Sequence, residues 1–255
     1  MDTQSTSQTH GWNRGGFPTW AKMLVAVAVV LLFSLVFFRV RSFEVSGNVR
    51  YTADEVAEAS GITRGDILIA VNKTRTASRL LVKLPYIEEV RVYKEMPGTV
   101  RFEISECTAV MAAKSEFSTY WLMTKDGKLL EEVDSREDPK LSGIPVIEGV
   151  SLTLPTLGKQ AEFEDVLSGE TALALIGAIS DAGLLGSVSE LNLEDPSNIT
   201  LQYGSDLTVW LGDGSDGDYK LRYLLAVQEQ LTAGKRGILD LSFSSGEQAV
   251  FHPLT

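Results

Sequence analysis

A glycine-rich segment in the distal part of the chain has the spacing of a dinucleotide-binding turn. Residues 212–217 read GDGSDG, which fits G-x-G-x-x-G, and Asp240 follows at the place of a ribose-binding acid. Such a turn binds pyrophosphate because the helix N-terminus behind it carries positive potential. Asp213, Asp216 and Asp218 would oppose that anion. The sequence therefore favours an acidic loop before a helix, with Asp218 placed favourably against the helix dipole.

The other residues that could do chemistry lack partners in the sequence. Cys107 is the only cysteine, which excludes a disulfide within the chain and is more typical of a small packed hydrophobe than of a nucleophile. His252 is the one histidine that could serve it as a base. Glu131 and Glu132 are paired carboxylates on a predicted hairpin, where we expect them to be solvated. No zinc or calcium pattern is complete. We predict no catalytic residues, no cofactor and no metal.

Charge is distributed unevenly along the chain. The formal net charge is −11, and residues 107–255 hold 10 basic against 23 acidic residues. A surface this acidic is repelled by nucleic acid and by anionic lipid headgroups. We therefore expect the distal part to lie in solvent and to bind protein, if it binds a macromolecule.

One long apolar stretch precedes all the residues discussed so far and is expected to determine where they lie in the cell. Residues 20–38 read WAKMLVAVAVVLLFSLVFF, in which twelve residues are Leu, Val or Phe and Lys22 is the one charge. A helix of this length measures about 28 Å, close to the hydrocarbon thickness of a bilayer. A core helix would show a polar face, and a signal peptide would be shorter and end at small residues. We predict a transmembrane helix over 20–38 after a disordered tail over 1–19, with flanking charges that do not orient it.

Residues 42–106 predict a small domain with the order β-α-α-β-β. Thr52 and Glu55 form a capping box at the start of the first helix, and Gly61 ends that helix. Pro85 ends the second helix. The predicted elements are a strand over 40–45, helices over 53–60 and 73–84, and strands over 87–94 and 99–106.

The second of these helices has a basic face. Arg75, Arg79 and Lys83 recur at intervals of four residues. Such a stripe is typical of a solvated helix face. Contact with membrane headgroups or with an acidic partner is the alternative.

The region after the apolar stretch resembles a known domain. The segments FEVSGNVRYTADEVAEASGITRGDILIAV and LVKLPYIEEVRVYKEMPGTVRFEISE resemble the POTRA domain that follows the membrane anchor in FtsQ/DivIB cell-division proteins of bacteria. That family often has a basic residue and a proline after the domain, where this chain has Cys107 and Thr108. The resemblance implies a POTRA domain over 39–106.

The distal part predicts a second domain over 107–255, mixed α/β with a largely antiparallel sheet, so that the chain as a whole is α+β. A hairpin turns at Asp126-Gly127, and Ser168 is expected to cap a helix over 169–182. The segments IPVIEGV, LQYGSDLTVWLGD, YKLRYLLAVQEQL and GILDLSFSSGEQAVFHP resemble the C-terminal part of FtsQ/DivIB proteins in the same order. The remaining predictions are a helix over 219–231 and strands over 120–123, 129–130, 188–193, 199–203, 207–211, 238–243 and 248–251.

The resemblance implies a function at the division septum. FtsQ/DivIB proteins are single-pass membrane proteins with a cytoplasmic N-terminus, and they act as non-enzymatic scaffolds that help control septal peptidoglycan synthesis. Their C-terminal region binds FtsB/DivIC-type partners by strand addition at a sheet edge, and FtsL-type proteins are further partners of the scaffold. By this resemblance the candidate partner-binding residues are Ile238, Asp240, Phe243, Val250 and Phe251.

Alternatives remain for these residues and for the function. The family often has tyrosine and tryptophan at the positions of Phe243 and Phe251, so the resemblance implies a more apolar contact in this chain. The alternative is that both phenylalanine rings are core residues. A POTRA-bearing secretion or membrane-protein assembly factor would continue into amphipathic strands of about ten residues, which the sequence does not contain. A membrane-tethered nucleotide enzyme would require phosphate binding by residues 212–217.

Overall fold

The structure is a computed structural model that describes residues 18–228, 236–242 and 249–253. Its first element, α1, covers Thr19–Phe37. Large apolar side chains of α1 are exposed, among them Trp20, Leu24 and Phe33. Over the described residues, no helix combines the length and the apolar character that a membrane crossing requires. The anchor over 20–38 stays a prediction.

A three-stranded sheet with two helices follows α1 and confirms the predicted β-α-α-β-β order. In the sheet, β3 is central, with β1 parallel to it on one side and β2 antiparallel on the other. A single hydrophobic cluster joins the helices to the sheet and includes Leu68, Leu80 and Phe102, all fully buried. The elements are β1 Ser42–Ser46, α2 Ala53–Ser60, α3 Lys73–Lys83, β2 Ile87–Glu95 and β3 Thr99–Glu106.

Local signals set both ends of α2 as the sequence predicts. The Glu55 N–H donates to Thr52 Oγ1 at 3.3 Å, and the Thr52 N–H donates to Glu55 Oε2 at 2.7 Å, which completes the capping box. Gly61 ends the helix with a left-handed backbone, φ +69. Only glycine adopts this conformation without cost, which explains why the helix stops there.

A nine-stranded mixed sheet forms the distal part. Among the described strands the order is β12-β11-β10-β9-β8-β7-β4-β5-β6, and five of the eight neighbouring pairs are antiparallel, as predicted. The elements are β4 Met111–Ser115, β5 Tyr120–Met123, β6 Leu129–Val133, β7 Val146–Leu152, α4 Val166–Asp181, β8 Val188–Asn192, β9 Ile199–Tyr203, β10 Leu207–Gly212, α5 Gly217–Gln228, β11 Gly237–Asp240 and β12 Val250–Pro253.

The N-terminus of α4 differs from the prediction. Asp165 caps the helix by accepting the Leu167 N–H at 3.2 Å, and the Ser168 hydroxyl lies inside the first turn and donates to the same carboxylate. Aspartate is as good an N-cap as serine, and it stands three residues earlier. The prediction that Ser168 caps this helix was therefore wrong.

The cores of the described chain are built without α1. The main cluster lies between the large sheet and the pair α4 and α5, and its members run from residue 110 to residue 251. The other two clusters draw on residues 40–104 and 51–146. Because α1 contributes to none of them, residues 38–255 contain all the described packing that holds the two sheets and their helices together.

Candidate partner-binding edge

Strand β12 is the last strand at one end of the large sheet. It pairs with β11 in antiparallel register, with Leu239 opposite Phe251 and Asp240 opposite Val250. Within the described residues no strand pairs with its other side. The final strands therefore lie at a sheet edge, as the sequence predicts, and that edge offers main-chain N–H and C=O groups to an added strand.

The predicted site residues fall on two faces of this edge. Phe251 is half-buried and packs on the main core beside Leu239, on the face that α5 covers. Val250, which is 50% exposed, and the half-buried Ile238 lie on the opposite face, since neighbouring residues of a strand alternate. Phe251 is thus partly a core residue, whereas Val250 is a surface residue of the edge.

A single glycine makes room for the Phe251 ring. A Cβ at Gly237 would lie 2.5 Å from Phe251 Cζ and 2.6 Å from the His252 carbonyl oxygen. Both distances are far below van der Waals contact, so any other residue at 237 must displace the ring or the strand. The position of β12 against β11 therefore depends on residue 237 having no side chain.

Asp240 ends β11 with its own hydrogen bonds. Its Oδ1 accepts the Ser242 N–H at 2.9 Å and the Ser242 hydroxyl at 2.6 Å. In register, Asp240 lies between Trp210 of β10 and Val250 of β12. Trp210 is half-buried and is a candidate contact that the sequence reasoning missed. Its signal was the strict alternation of residues 207–211, which places Trp210 on the face away from the main core.

Phe243, the fifth predicted site residue, lies outside the described residues. The described chain runs to Ser242 and resumes at Ala249. The other four predicted residues, Ile238, Asp240, Val250 and Phe251, lie together on two paired strands.

In the glycine-rich turn at 212–217, a backbone N–H is bound by a side chain of the turn itself. It connects β10 to α5, and the Asp213 carboxylate accepts the Ser215 N–H at 3.0 Å. Hydrogen bonds from Ser215 hold the pKa of Asp213 below its usual range. The buried Lys220 donates to the Leu211 carbonyl at 2.7 Å. Because the Asp213 carboxylate accepts a backbone N–H of this turn and adds negative charge there, the turn is suited to ending a strand and starting a helix.

A polar network joins the small sheet to the large one. Tyr86 Oη donates to Glu131 Oε2 at 3.0 Å, and Arg50 Nη2 donates to the same oxygen at 3.1 Å. The Arg50 guanidinium also lies over the Tyr86 ring, 3.8 Å from its centroid. Lys140 binds the other oxygen of Glu131. Glu131 is therefore surrounded by three donors, and the expectation that it is a solvated hairpin carboxylate was wrong.

The surroundings of this network shift two pKa values in opposite directions. Burial and the hydrogen bond to Glu131 raise the pKa of Tyr86, so its hydroxyl stays a donor. Partial burial opposes ionisation of Glu131, but hydrogen bonds from Lys140 and Tyr86 prevail and lower its pKa. At physiological pH Tyr86 is therefore neutral and Glu131 charged, so the hydroxyl donates to a carboxylate.

Cys107 lies at the same junction and has the character of a packed thiol. Its Sγ is 3.3 Å from the Tyr86 carbonyl oxygen, and it packs against the cluster shared by the two sheets. Burial raises the pKa of the Cys107 thiol. A neutral, half-buried thiol is a poor nucleophile, which agrees with its interpretation as a small hydrophobe.

Comparison with known proteins covers both sheets of the chain. The family described as "POTRA domain, FtsQ-type" matches residues 38–106, and the family described as "Cell division protein FtsQ/DivIB, C-terminal" matches residues 112–242. The chain is 23% identical over 229 residues to cell division protein DivIB of Clostridium botulinum, covering 86% of this chain and 84% of that protein. It is 25% identical over 228 residues to DivIB of Geobacillus kaustophilus, covering 86% and 78%.

A further relative carries the second name of the family. Cell division protein FtsQ of Corynebacterium glutamicum is 25% identical over 200 residues, covering 78% of this chain and 82% of that protein. The matched domains occur in the order that the sequence resemblance implied. The chain belongs to the FtsQ/DivIB family of cell division proteins.

Proposed function

We propose that this cell division protein is a non-enzymatic scaffold of the septal complex. In this proposal it captures FtsB/DivIC-type and FtsL-type proteins by strand addition to β12, and so helps control septal peptidoglycan synthesis. The observation that carries the proposal is the terminal position of β12 among the described strands. Because β12 has four residues, side-chain contacts from Val250 and Phe251, and from Trp210 on β10 beyond β11, must add to the main-chain hydrogen bonds.

The proposal includes attachment to the membrane at the septum. Residues 1–19 form a cytoplasmic tail, 20–38 the anchor, and 39–106 and 107–255 the POTRA and C-terminal domains outside the membrane. The exposed apolar side chains of α1 support the anchor, because they contribute to no hydrophobic core of the described chain. We expect the full chain to stay in the membrane pellet after alkaline extraction and residues 38–255 to be released. Release of the full chain would contradict the anchor.

Partner capture is tested at the edge strand. The double change Phe243→Ala and Phe251→Ala should weaken capture of an FtsB/DivIC-type protein by at least about tenfold, since buried aromatic anchors dominate such contacts. Phe251 also packs on the core, so Val250→Lys is the second variant: it places a charge on the exposed face of β12, where strand addition is sensitive to charge. Binding is measured by titration of the purified chain.

The matched control is Phe117→Ala. Phe117 is 64% exposed in the turn between β4 and β5, at the opposite end of the sheet order. It should bind partner like the wild type. Undiminished capture by both edge variants, with melting temperatures that show intact folding, would refute strand addition at β12.

A further inference from the structure

A cavity beside the start of the small domain is lined by arginines. Its volume is about 450 Å³. Arg39, Arg75 and Arg79 line it, against Asp66 as the one acidic residue of the lining. Two of these arginines belong to the basic face of α3 that the sequence singled out. The third comes from the segment that connects α1 to β1.

The geometry holds two of these guanidinium groups at the cavity. Arg39 Nη1 donates to the Gly65 carbonyl at 2.9 Å. The Arg79 guanidinium packs over Gly61, where a Cβ would lie 2.6 Å from Nη1. The left-handed glycine that ends α2 therefore also makes room for Arg79. Arg75 and Asn72, the N-cap of α3, complete the same wall.

The described lining of this cavity carries more positive than negative charge. Within the described residues, neither Arg75 nor Arg79 forms an ion pair with a carboxylate. The Asp66 carboxylate accepts the Thr63 N–H at 2.9 Å and keeps its negative charge, so three arginines against one aspartate give the lining a formal net charge of +2. Guanidinium groups bind phosphate oxygens in a bidentate manner, so three of them around one cavity fit a phosphate group.

The position of the cavity indicates where that phosphate comes from. The Leu68 N–H donates to the Phe38 carbonyl at 2.9 Å, and the Val40 N–H donates to the Asp66 carbonyl at 2.8 Å. These bonds fix the cavity within a few residues of the end of α1. Ile69, on the same loop, is 57% exposed. Basic groups next to exposed apolar side chains are typical of a surface that contacts lipid headgroups.

We propose that this cavity binds the phosphate of an anionic glycerophospholipid and so holds the POTRA domain against the membrane surface. The choice of a lipid rests on the proposed membrane attachment, whereas the phosphate chemistry rests on the arginines alone. Residues 38–255 hold 21 basic and 33 acidic residues, a net charge of −12. General attraction to an anionic bilayer is therefore not expected, and binding requires a local basic site.

The test uses residues 38–255, which contain all three described cores. Co-sedimentation is measured with vesicles of phosphatidylglycerol mixed with phosphatidylcholine and with vesicles of phosphatidylcholine alone. Wild type should bind only the first. Arg75→Gln with Arg79→Gln should weaken that binding roughly 25-fold, about fivefold for each arginine near an anionic surface. Both residues are exposed, so their melting temperatures should stay close to wild type.

The matched control is Arg91→Gln with Arg222→Gln, which makes the same change in net charge at exposed arginines outside the cavity. It should keep wild-type binding. Equal loss in both double variants would overturn the cavity as the site. Binding of inorganic phosphate as tight as vesicle binding would overturn the lipid as its source. Absence of wild-type binding to both vesicles would overturn the proposal and favour an acidic peptide. None of these results depends on whether α1 anchors the full chain.

Discussion

Glu131 is the residue at which side chains of the two domains meet in one polar network. Its carboxylate accepts from Tyr86, 45 positions away in sequence, and from Arg50, 81 positions away. Neither donor can be assigned from sequence spacing, because no local pattern links residues so far apart. In the sequence, Glu131 and Glu132 are two equivalent adjacent carboxylates. Only the fold shows that Glu131 is bound by distant donors whereas Glu132 is exposed.

Replacing Glu131 tests this network. Glu131→Gln should lower the free energy of unfolding by about 1–2 kcal/mol at neutral pH, since it removes the charge from partly buried hydrogen bonds. The pKa of Glu131 is lowered on folding. Its contribution is therefore complete above the unfolded pKa of about 4.3 and is lost as pH falls through the folded value. The difference in melting temperature from wild type should shrink below about pH 4.

The neighbouring residue gives the control for that measurement. Glu132→Gln makes the same charge change at an exposed position of the same strand. It should change stability by less than about 0.5 kcal/mol, as surface substitutions usually do. Equal effects of the two variants, or a Glu131→Gln difference that persists at low pH, would contradict the role of this carboxylate.

At the scale of elements, the predictions are confirmed where residues close in sequence determine the structure. The capping box of α2, its glycine stop and the alternation of β9 and β10 all appear in the structure. The cap of α4 was misassigned because Asp165 and Ser168 are both good caps, and the choice depends on where the chain enters the helix. The packing of β12 was not predictable either, because it depends on Gly237, a residue of the neighbouring strand.

Gly237→Ala tests how β12 is held. The added Cβ would lie 2.5 Å from Phe251 Cζ, so we expect β12 to separate from β11 while the rest of the sheet stays folded. Amide hydrogen exchange of residues 250–252 should accelerate at least about tenfold, and partner capture should weaken with it.

Gly177→Ala is the matched change, in the interior of α4 with no atom within 4 Å of the new Cβ. It should leave exchange in β12 unchanged and stabilise the helix by about 0.5–1 kcal/mol. Unaltered exchange of residues 250–252 in Gly237→Ala would refute the packing argument.

At the scale of the whole molecule, two sheets share one hydrophobic cluster. Tyr51 and Tyr86 from the small domain pack with Leu122, Leu130 and Val146 of the large sheet. The sequence identified both domains and their order, but not this contact, since the residues involved lie on different elements and carry no common pattern. The two candidate binding surfaces, the arginine cavity and the edge strand β12, are therefore connected through a packed junction.

This junction predicts that residues 38–255 unfold in one calorimetric transition. Tyr86 is 7% exposed and belongs both to the apolar cluster shared by the two sheets and to the polar network around Glu131. Tyr86→Ala should cost roughly 3 kcal/mol, as for other buried aromatic rings, and should resolve the unfolding into two transitions. Tyr93→Ala, at a half-buried ring of β2 outside the shared cluster, should lower stability without dividing the transition. Two transitions already present in the wild type would mean that the domains unfold independently, and would contradict the role of the shared junction.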